Sequence, residues 1–259
     1  RKGKFDILLV FMFDRIGRKV FLSDYGHVFL PYARSVLADL DNGIREINTM
    51  ADRVCGVFSV GTTFSAMGLL TPVISDLSRQ YPLLQVRVSV FNTVEEIMTA
   101  LQDNRIELAV SYCPDTLPDG IEEKEVYKSQ ISVIVSRSHP WVLRKDVETK
   151  EVVSQLVATF PHGSYTRGLI DRIMADERLE FHPQAEVDDT GCILSLVATG
   201  NWITLLALGS IFNSEAFAAI PLKGHAEPLR ISAMWLSRKS MTSLCSKFID
   251  ILCRLSETL

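Results

Sequence analysis

Gly56-Val57-Phe58-Ser59-Val60-Gly61 decides the fold. β-branched and aromatic residues bounded by glycines read as a short strand. The residues after it alternate between two periods. Met67 to Tyr81 repeats apolar residues every three or four positions and ends before Pro82, as an amphipathic helix does. Leu84 to Phe91 alternates Val86, Val88 and Val90 and reads as a second strand. Val94 to Asn104 is helical, and Ile106 to Ser111 is a buried strand. A βαβαβ run implies right-handed crossovers and a parallel sheet covered on both faces. The expected class is α/β, with a first lobe spanning 55–129 and completed by the terminal segment 237–259.

A second lobe is expected over 130–236. Its strands are Gln130 to Ser136, Leu156 to Phe160, Gln184 to Val187, Trp202 to Leu206, Phe217 to Leu222 and Leu229 to Trp235, with helices over Tyr165 to Asp176 and Thr190 to Thr199. Ser240 to Leu255 is a terminal helix with Leu244, Phe248, Ile251, Leu252 and Leu255 on one face. Two lobes joined by crossing strands make a hinged clamshell.

Toward the N-terminus, Phe13 and Val20-Phe21 flank Gly17, and Arg15, Arg18 and Lys19 surround it. The pattern gives a short hairpin, within the segment 1–22, with a cationic tip suited to phosphate contact, which carries no sequence information. A solvated basic turn is the alternative reading of the same residues. Ser23 then stands at an N-cap with Asp24 in the first turn. Phe29, Tyr32, Val36, Leu40, Ile44 and Ile47 continue at spacings of three and four, so 23–54 reads as one long helix with a narrow apolar seam. Such a helix either joins and pairs subunits or packs on its own domain. Pro31 is expected to kink it.

The chain has 259 residues, 47% apolar and 22% charged, with a net charge of −4. Those values suit an ordinary globular protein and exclude a broadly basic nucleic-acid binder, so any DNA contact is local to the basic N-terminal residues. The apolar stretch Ile193 to Leu208 is interrupted by polar residues, so no membrane span is expected, and without a secretory signal the default location is cytoplasmic. Five scattered cysteines suit reduced thiols, with neither Cys-x-x-Cys pairs nor zinc-ligand spacing. No Gly-x-Ser-x-Gly elbow, Walker loop, dinucleotide fingerprint or His-Glu-x-x-His motif is present. Neither an enzyme nor a cofactor is expected.

Arg53 to Thr63, Leu70-Thr71-Pro72, Arg79-Gln80-Tyr81-Pro82, Asp103 to Val110, His139-Pro140 and Val197-Ala198-Thr199-Gly200 fall in one order behind the hairpin and long helix. That order resembles the LysR-type transcriptional regulators across essentially the whole chain. The resemblance implies a two-lobed, periplasmic-binding-protein-like effector domain, a linker helix and the remnant wing of a winged helix-turn-helix. It further implies promoter DNA as the partner of a full-length protein and pairing into a homodimer or homotetramer. The base-reading helix is expected to be absent from this chain, which leaves a stand-alone small-molecule binding module as the alternative function.

Ligands of open α/β sheets settle at the carboxyl ends of strands, where helix N-termini offer amides. Thr62, Thr63, Phe64 and Ser65 follow the first strand, and Asn92 and Thr93 follow the second. These residues favour a small organic acid or another anion as co-inducer, although helix capping alone also explains Ser65, Asn92 and Thr93. The resemblance places His162, Ser164, Tyr165, Arg167 and the hinge residues Gln130 and Ser132 near the inducer pocket. Arg167 either pairs with a ligand carboxylate or is solvated. Asp188-Asp189-Thr190 reads as a further N-cap. Where the family has a Gly-Leu-Gly-Ile stretch, this chain has Gly200-Asn201-Trp202-Ile203, and bulky Trp202 is expected to narrow the cleft.

Overall fold

The computed structural model describes residues 13–16, 19–50, 54–114, 116–207, 215–225, 228–237 and 241–256. β1 (Phe13–Ile16) and β2 (Lys19–Leu22) form an antiparallel hairpin in which Phe13 faces Leu22 and Ile16 faces Lys19. Arg18, expected at its tip, lies outside the described residues, as do the side chains of Arg15 and Lys19. Helix α1 (Asp24–Met50) starts where the Ser23 hydroxyl accepts the Gly26 amide at 3.1 Å. The helix continues unbroken through Pro31. Phe29, Tyr32, Val36, Leu40, Ile44 and Ile47 are 40% to 69% exposed, so the seam is not covered by the described residues.

The first lobe is built on β3 (Gly56–Thr63), β4 (Leu84–Phe91) and β5 (Leu108–Tyr112), with β3 parallel to both neighbours. Helices α2 (Met67–Gln80) and α3 (Val94–Gln102) cross between them. The chain then adds β6 (Ile121–Ser129), a strand not anticipated from the sequence. Residues Glu122 to Glu125 break any simple apolar alternation there.

Gln130 separates β6 from β7 (Ile131–Ser136), and there the chain passes into the second sheet. That sheet has the order β11-β7-β10-β8-β9, from β8 (Leu156–Thr159), β9 (Ala185–Glu186), β10 (Trp202–Ala207) and β11 (Phe217–Pro221). Helices α4 (Thr149–Val152), α5 (Tyr165–Asp176) and α6 (Thr190–Ala198) accompany it.

One expected boundary is corrected. β12 (Leu229–Leu236) belongs to the first sheet, lying antiparallel between β5 and β6, in the order β4-β3-β5-β12-β6. The first lobe therefore resumes with β12 rather than at residue 237. Ile231, Ser232, Ala233 and Met234 are all buried, as a strand covered on both faces requires. Burial periodicity is the same in either sheet, so the local pattern did not distinguish them. Helix α7 (Ser243–Ser256) packs on this lobe, its Phe248 ring 5.6 Å from that of Phe58. Both rings are fully buried, each burial contributing about 1.5–3 kcal/mol. The second lobe holds two smaller cores on opposite faces of its sheet residues, one around Val133, Ile203 and Leu205 and one around Ile134, Ala158 and Leu206.

Candidate functional site

The carboxyl ends of β3, β4, β5 and β8 meet across the space between the lobes. There they enclose a cavity of about 300 Å³. The first lobe supplies Thr63, Phe64, Phe91, Asn92, Thr93 and Tyr112, and the second supplies Phe160 to Thr166 and Asp188. Helix N-termini point into it from both sides. Thr93 caps α3 by accepting the Glu96 amide at 3.2 Å, and Ser164 caps α5 by accepting the Arg167 amide at 3.2 Å. The first turn of a helix carries amide hydrogens with no intrahelical acceptor and a positive dipole end, which together suit an anion. Capping and cleft lining thus occur in the same residues.

Side-chain alternation along β3 separates Thr62 from Thr63. Thr63 lines the cleft with its hydroxyl 3.3 Å from that of Ser111. Thr62 turns into the sheet and donates to the Val110 carbonyl at 2.8 Å, so it does not line the cleft. The Ser65 side chain lies outside the described residues. Gln130 sits at the crossing between lobes, and Ser132 is buried in β7 against Leu206 and Pro221; neither lines the cavity.

Arg167 is corrected on both of its expected roles. Its side chain is 3% exposed, so it is not solvated, and its guanidinium is consumed inside the lobe rather than offered to a ligand. Nε donates to Asp171 at 2.8 Å, and Nη1 donates to Glu186 and to the Phe160 carbonyl at 3.2 Å. Burial opposes the guanidinium charge, but the bonds to Glu186 and Asp171 outweigh it and hold the pKa above its ordinary value. Nη2 lies 3.0 Å from Nε2 of His162, whose Nδ1 is 3.2 Å from Asp171. Since arginine only donates, this places the imidazole hydrogen on Nδ1 and leaves a ring face, not a free nitrogen, for the cleft. Gly163 completes the same loop at φ +95°, a conformation that favours glycine.

Asp189 caps α6 by accepting the Cys192 amide at 2.7 Å, while its neighbour Asp188 is exposed on the cleft lining. Trp202 does not narrow the cleft. It starts β10 opposite Leu156, at the other end of β8 from the cavity, and packs on the second lobe's core. Phe91, Tyr112 and Phe160 line the cavity without having been singled out from the sequence, and Asp188, read there only as part of an N-cap, lines it too. Each lies at or just past the carboxyl end of a strand, so the rule that identified Thr63 and Asn92 also reaches them. A larger hollow of about 580 Å³ shares Tyr165 with the cleft and is open to Arg172, Asp176, His225 and Arg230. Neither capping residue, Thr93 or Ser164, lines it.

The sequence pattern of the LysR substrate binding domain matches residues 51–255. The chain belongs to the LysR substrate binding domain family. The HTH-type transcriptional activator CmpR of Synechocystis is 21% identical over 244 residues, covering 93% of this chain and 80% of CmpR. The chain spans 63% and 64% of two other curated regulators it matches, GbpR of Azospirillum brasilense and CbbR of Rhodospirillum rubrum. Among solved structures, the Synechocystis CcmR regulatory domain in complex with 2-PG superposes with a TM-score of 0.66 at 17% identity, covering 79% of this chain and 99% of that one. Full-length CbnR complexed with its target DNA gives 0.67 at 19% identity, covering 98% and 87%. The likeness to the two solved structures is one of fold.

Proposed function

We propose that this chain is the sensing part of a ligand-responsive, LysR-type transcriptional regulator of the cytoplasm. A small anion binds in the cleft, and the two lobes close on it. The observation that carries this reading is the convergence of capped helix N-termini from both lobes, at Thr93 and Ser164, on one cavity. The lining offers hydroxyls, an amide, aromatic faces, one imidazole and one carboxylate, a set suited to holding a small ligand. Closure requires only that the ligand prefer one lobe arrangement over the other.

The rest of the chain fits transmission of that change. The exposed seam of α1 pairs with a second copy, giving a homodimer that can assemble further into a homotetramer. The β1–β2 hairpin touches phosphates of promoter DNA in the full-length protein. The regulators named above, one solved on its target DNA and one with 2-PG, support this assignment.

Thermal unfolding with a panel of small organic acids, 2-PG included, tests the cleft. A ligand that binds only the folded state stabilises it by about 2.7 kcal/mol at a hundredfold excess over Kd. The expected result is a concentration-dependent rise in Tm that Ser164→Ala diminishes. No response to any small anion would sink the proposal. A promoter shift assay at several salt concentrations addresses the DNA partner. A ligand response retained without any DNA affinity would identify a stand-alone binding module.

A further inference from the structure

Helix α1 and the first lobe enclose a further hollow, of about 350 Å³, between them. Arg34, Leu37 and Asp41 of α1 line one side of it. Val57 and Ser59 of β3, Arg87 of β4 and the segment holding Asn104, Arg105 and Glu107 line the other. The three α1 residues recur at spacings of four and three, so they share one helix face, roughly a third of a turn from the exposed apolar seam. A partner helix on the seam therefore does not fill the hollow. None of its residues lines the cleft between the lobes.

Its charge is what singles it out. Three guanidiniums converge on it from three separate segments, Arg34, Arg87 and Arg105. Among the described residues no carboxylate lies within 4.0 Å of Arg34 or Arg87, while Arg105 reaches Asp103 at 3.6 Å. Of the two acids on the lining, Glu107 is engaged with β3, where it accepts the Ser59 amide at 3.2 Å, and Asp41 is exposed on α1. Donor forks approaching from three segments suit a tetrahedral oxyanion, which offers an acceptor in each direction, better than a planar carboxylate with two oxygens in one plane. We propose that this hollow is a second anion site, taking a phosphoryl group, as free phosphate or a phosphate monoester, between the linker helix and the sensor. The group ties Arg34 of α1 to Arg87 and Arg105 of the lobe and so fixes how the helix sits on it. Arg105 also lies 5.9 Å from the centre of the Phe91 ring, a wall of the cleft. Ligands at the two sites therefore alter each other's affinity by the same factor. Only that coupling rests on the anion-sensing reading of the cleft; the site itself does not.

Isothermal titration of the whole chain with inorganic phosphate, glycerol 3-phosphate and acetate, at constant ionic strength, tests it. The titrations are repeated on Arg87→Gln, Asp41→Asn and the cleft variant Ser164→Ala. Phosphate or its monoester should bind and acetate should not, and the tighter of the two phosphates identifies the source of the group. Arg87→Gln, an exposed change on an edge strand, should weaken binding about tenfold, the loss of one charge-assisted hydrogen bond. Asp41→Asn should strengthen it severalfold by removing the acid that opposes the anion. Ser164→Ala should leave it unchanged. Acetate binding as tight as phosphate, or phosphate affinity indifferent to either α1 or β4 substitution, overturns the second site. Loss of phosphate binding in Ser164→Ala but not in Arg87→Gln moves the anion to the cleft, which overturns this proposal and leaves the sensing reading intact. Silence from both phosphates, with the fold intact by circular dichroism, overturns the second site and leaves the cleft to its own ligand screen.

Discussion

The two walls of the cleft reach the same geometry by different means. The first-lobe wall is held by hydrogen bonds within its sheet and at a helix cap, where the Glu96 carboxylate accepts the Asn92 amide at 3.1 Å. Thr62 and Thr63 bond within the sheet, Thr93 caps its own helix, and Gly61 lets Ile106 and Phe91 close over β3. The second-lobe wall is a loop pinned by charge. Arg167 reaches back to the Phe160 carbonyl and sideways to His162, Asp171 and Glu186. A wall built on strand ends inherits the rigidity of its sheet. A wall built on one buried cation depends on that cation.

Substitution of Arg167 should therefore have the largest effect. Arg167→Met removes the guanidinium but keeps most of its length, leaving Glu186 without its cation and Asp171 with His162 alone. Breaking a fully buried ion pair costs about 3–5 kcal/mol. These two carboxylates are 36% and 42% exposed and partly resolvated, so the expected loss is about 2–3 kcal/mol. The counterpart in the first wall, Thr62→Val, removes one buried hydroxyl bond and should cost about 1 kcal/mol. Urea unfolding of the two variants tests the contrast directly, and equal losses would break it.

Gly61→Ala probes the first wall where it is tightest. The new Cβ would stand 2.3 Å from Cδ1 of Ile106 and 3.1 Å from the Phe91 ring. Ile106 is buried, so the collision cannot be relieved into solvent, and overpacking of this kind costs about 1–3 kcal/mol. Because Phe91 lines the cleft, ligand affinity should fall as well. A stability loss with unchanged affinity would detach Phe91 from the site.

The contrast between the walls also marks where sequence stops being informative. β4 and α5 fall where their periodicities put them, and the caps at Ser23, Thr93 and Asp189 are local patterns written in adjacent residues. Thr63, Asn92 and Thr93 follow from one rule about strand ends. The role of Arg167 depends on Glu186, 19 positions away on a different element, and no local pattern encodes that pairing. β12 was misplaced for a related reason. Its alternation specifies a strand, but its sheet is fixed by pairing with Tyr112 and Ser129, both distant in the chain. The missed Phe91, Tyr112 and Phe160 are different: the strand-end rule covered them, and only the preference for polar residues passed them over.

A smaller effect separates the lobes by pH. His139, His162, His182 and His225 all belong to the second lobe, and His139 is buried between β7 and α4. Its Nδ1 accepts the Trp141 amide at 3.1 Å, an interaction of the neutral ring, and burial lowers its pKa below the ordinary value. The sign follows from linkage. As pH falls through about 6.5 the unfolded chain binds the proton first, so stability complete above that value is lost as pH drops toward the folded pKa. Hydrogen exchange of β7 amides should therefore speed up relative to β3 amides between about pH 6.5 and 5, after allowance for the intrinsic pH dependence of exchange. His139→Asn keeps an acceptor for the Trp141 amide and removes the titration, so the β7 slope should flatten while β3 is unchanged. An unaltered β7 slope in that variant would detach the effect from His139.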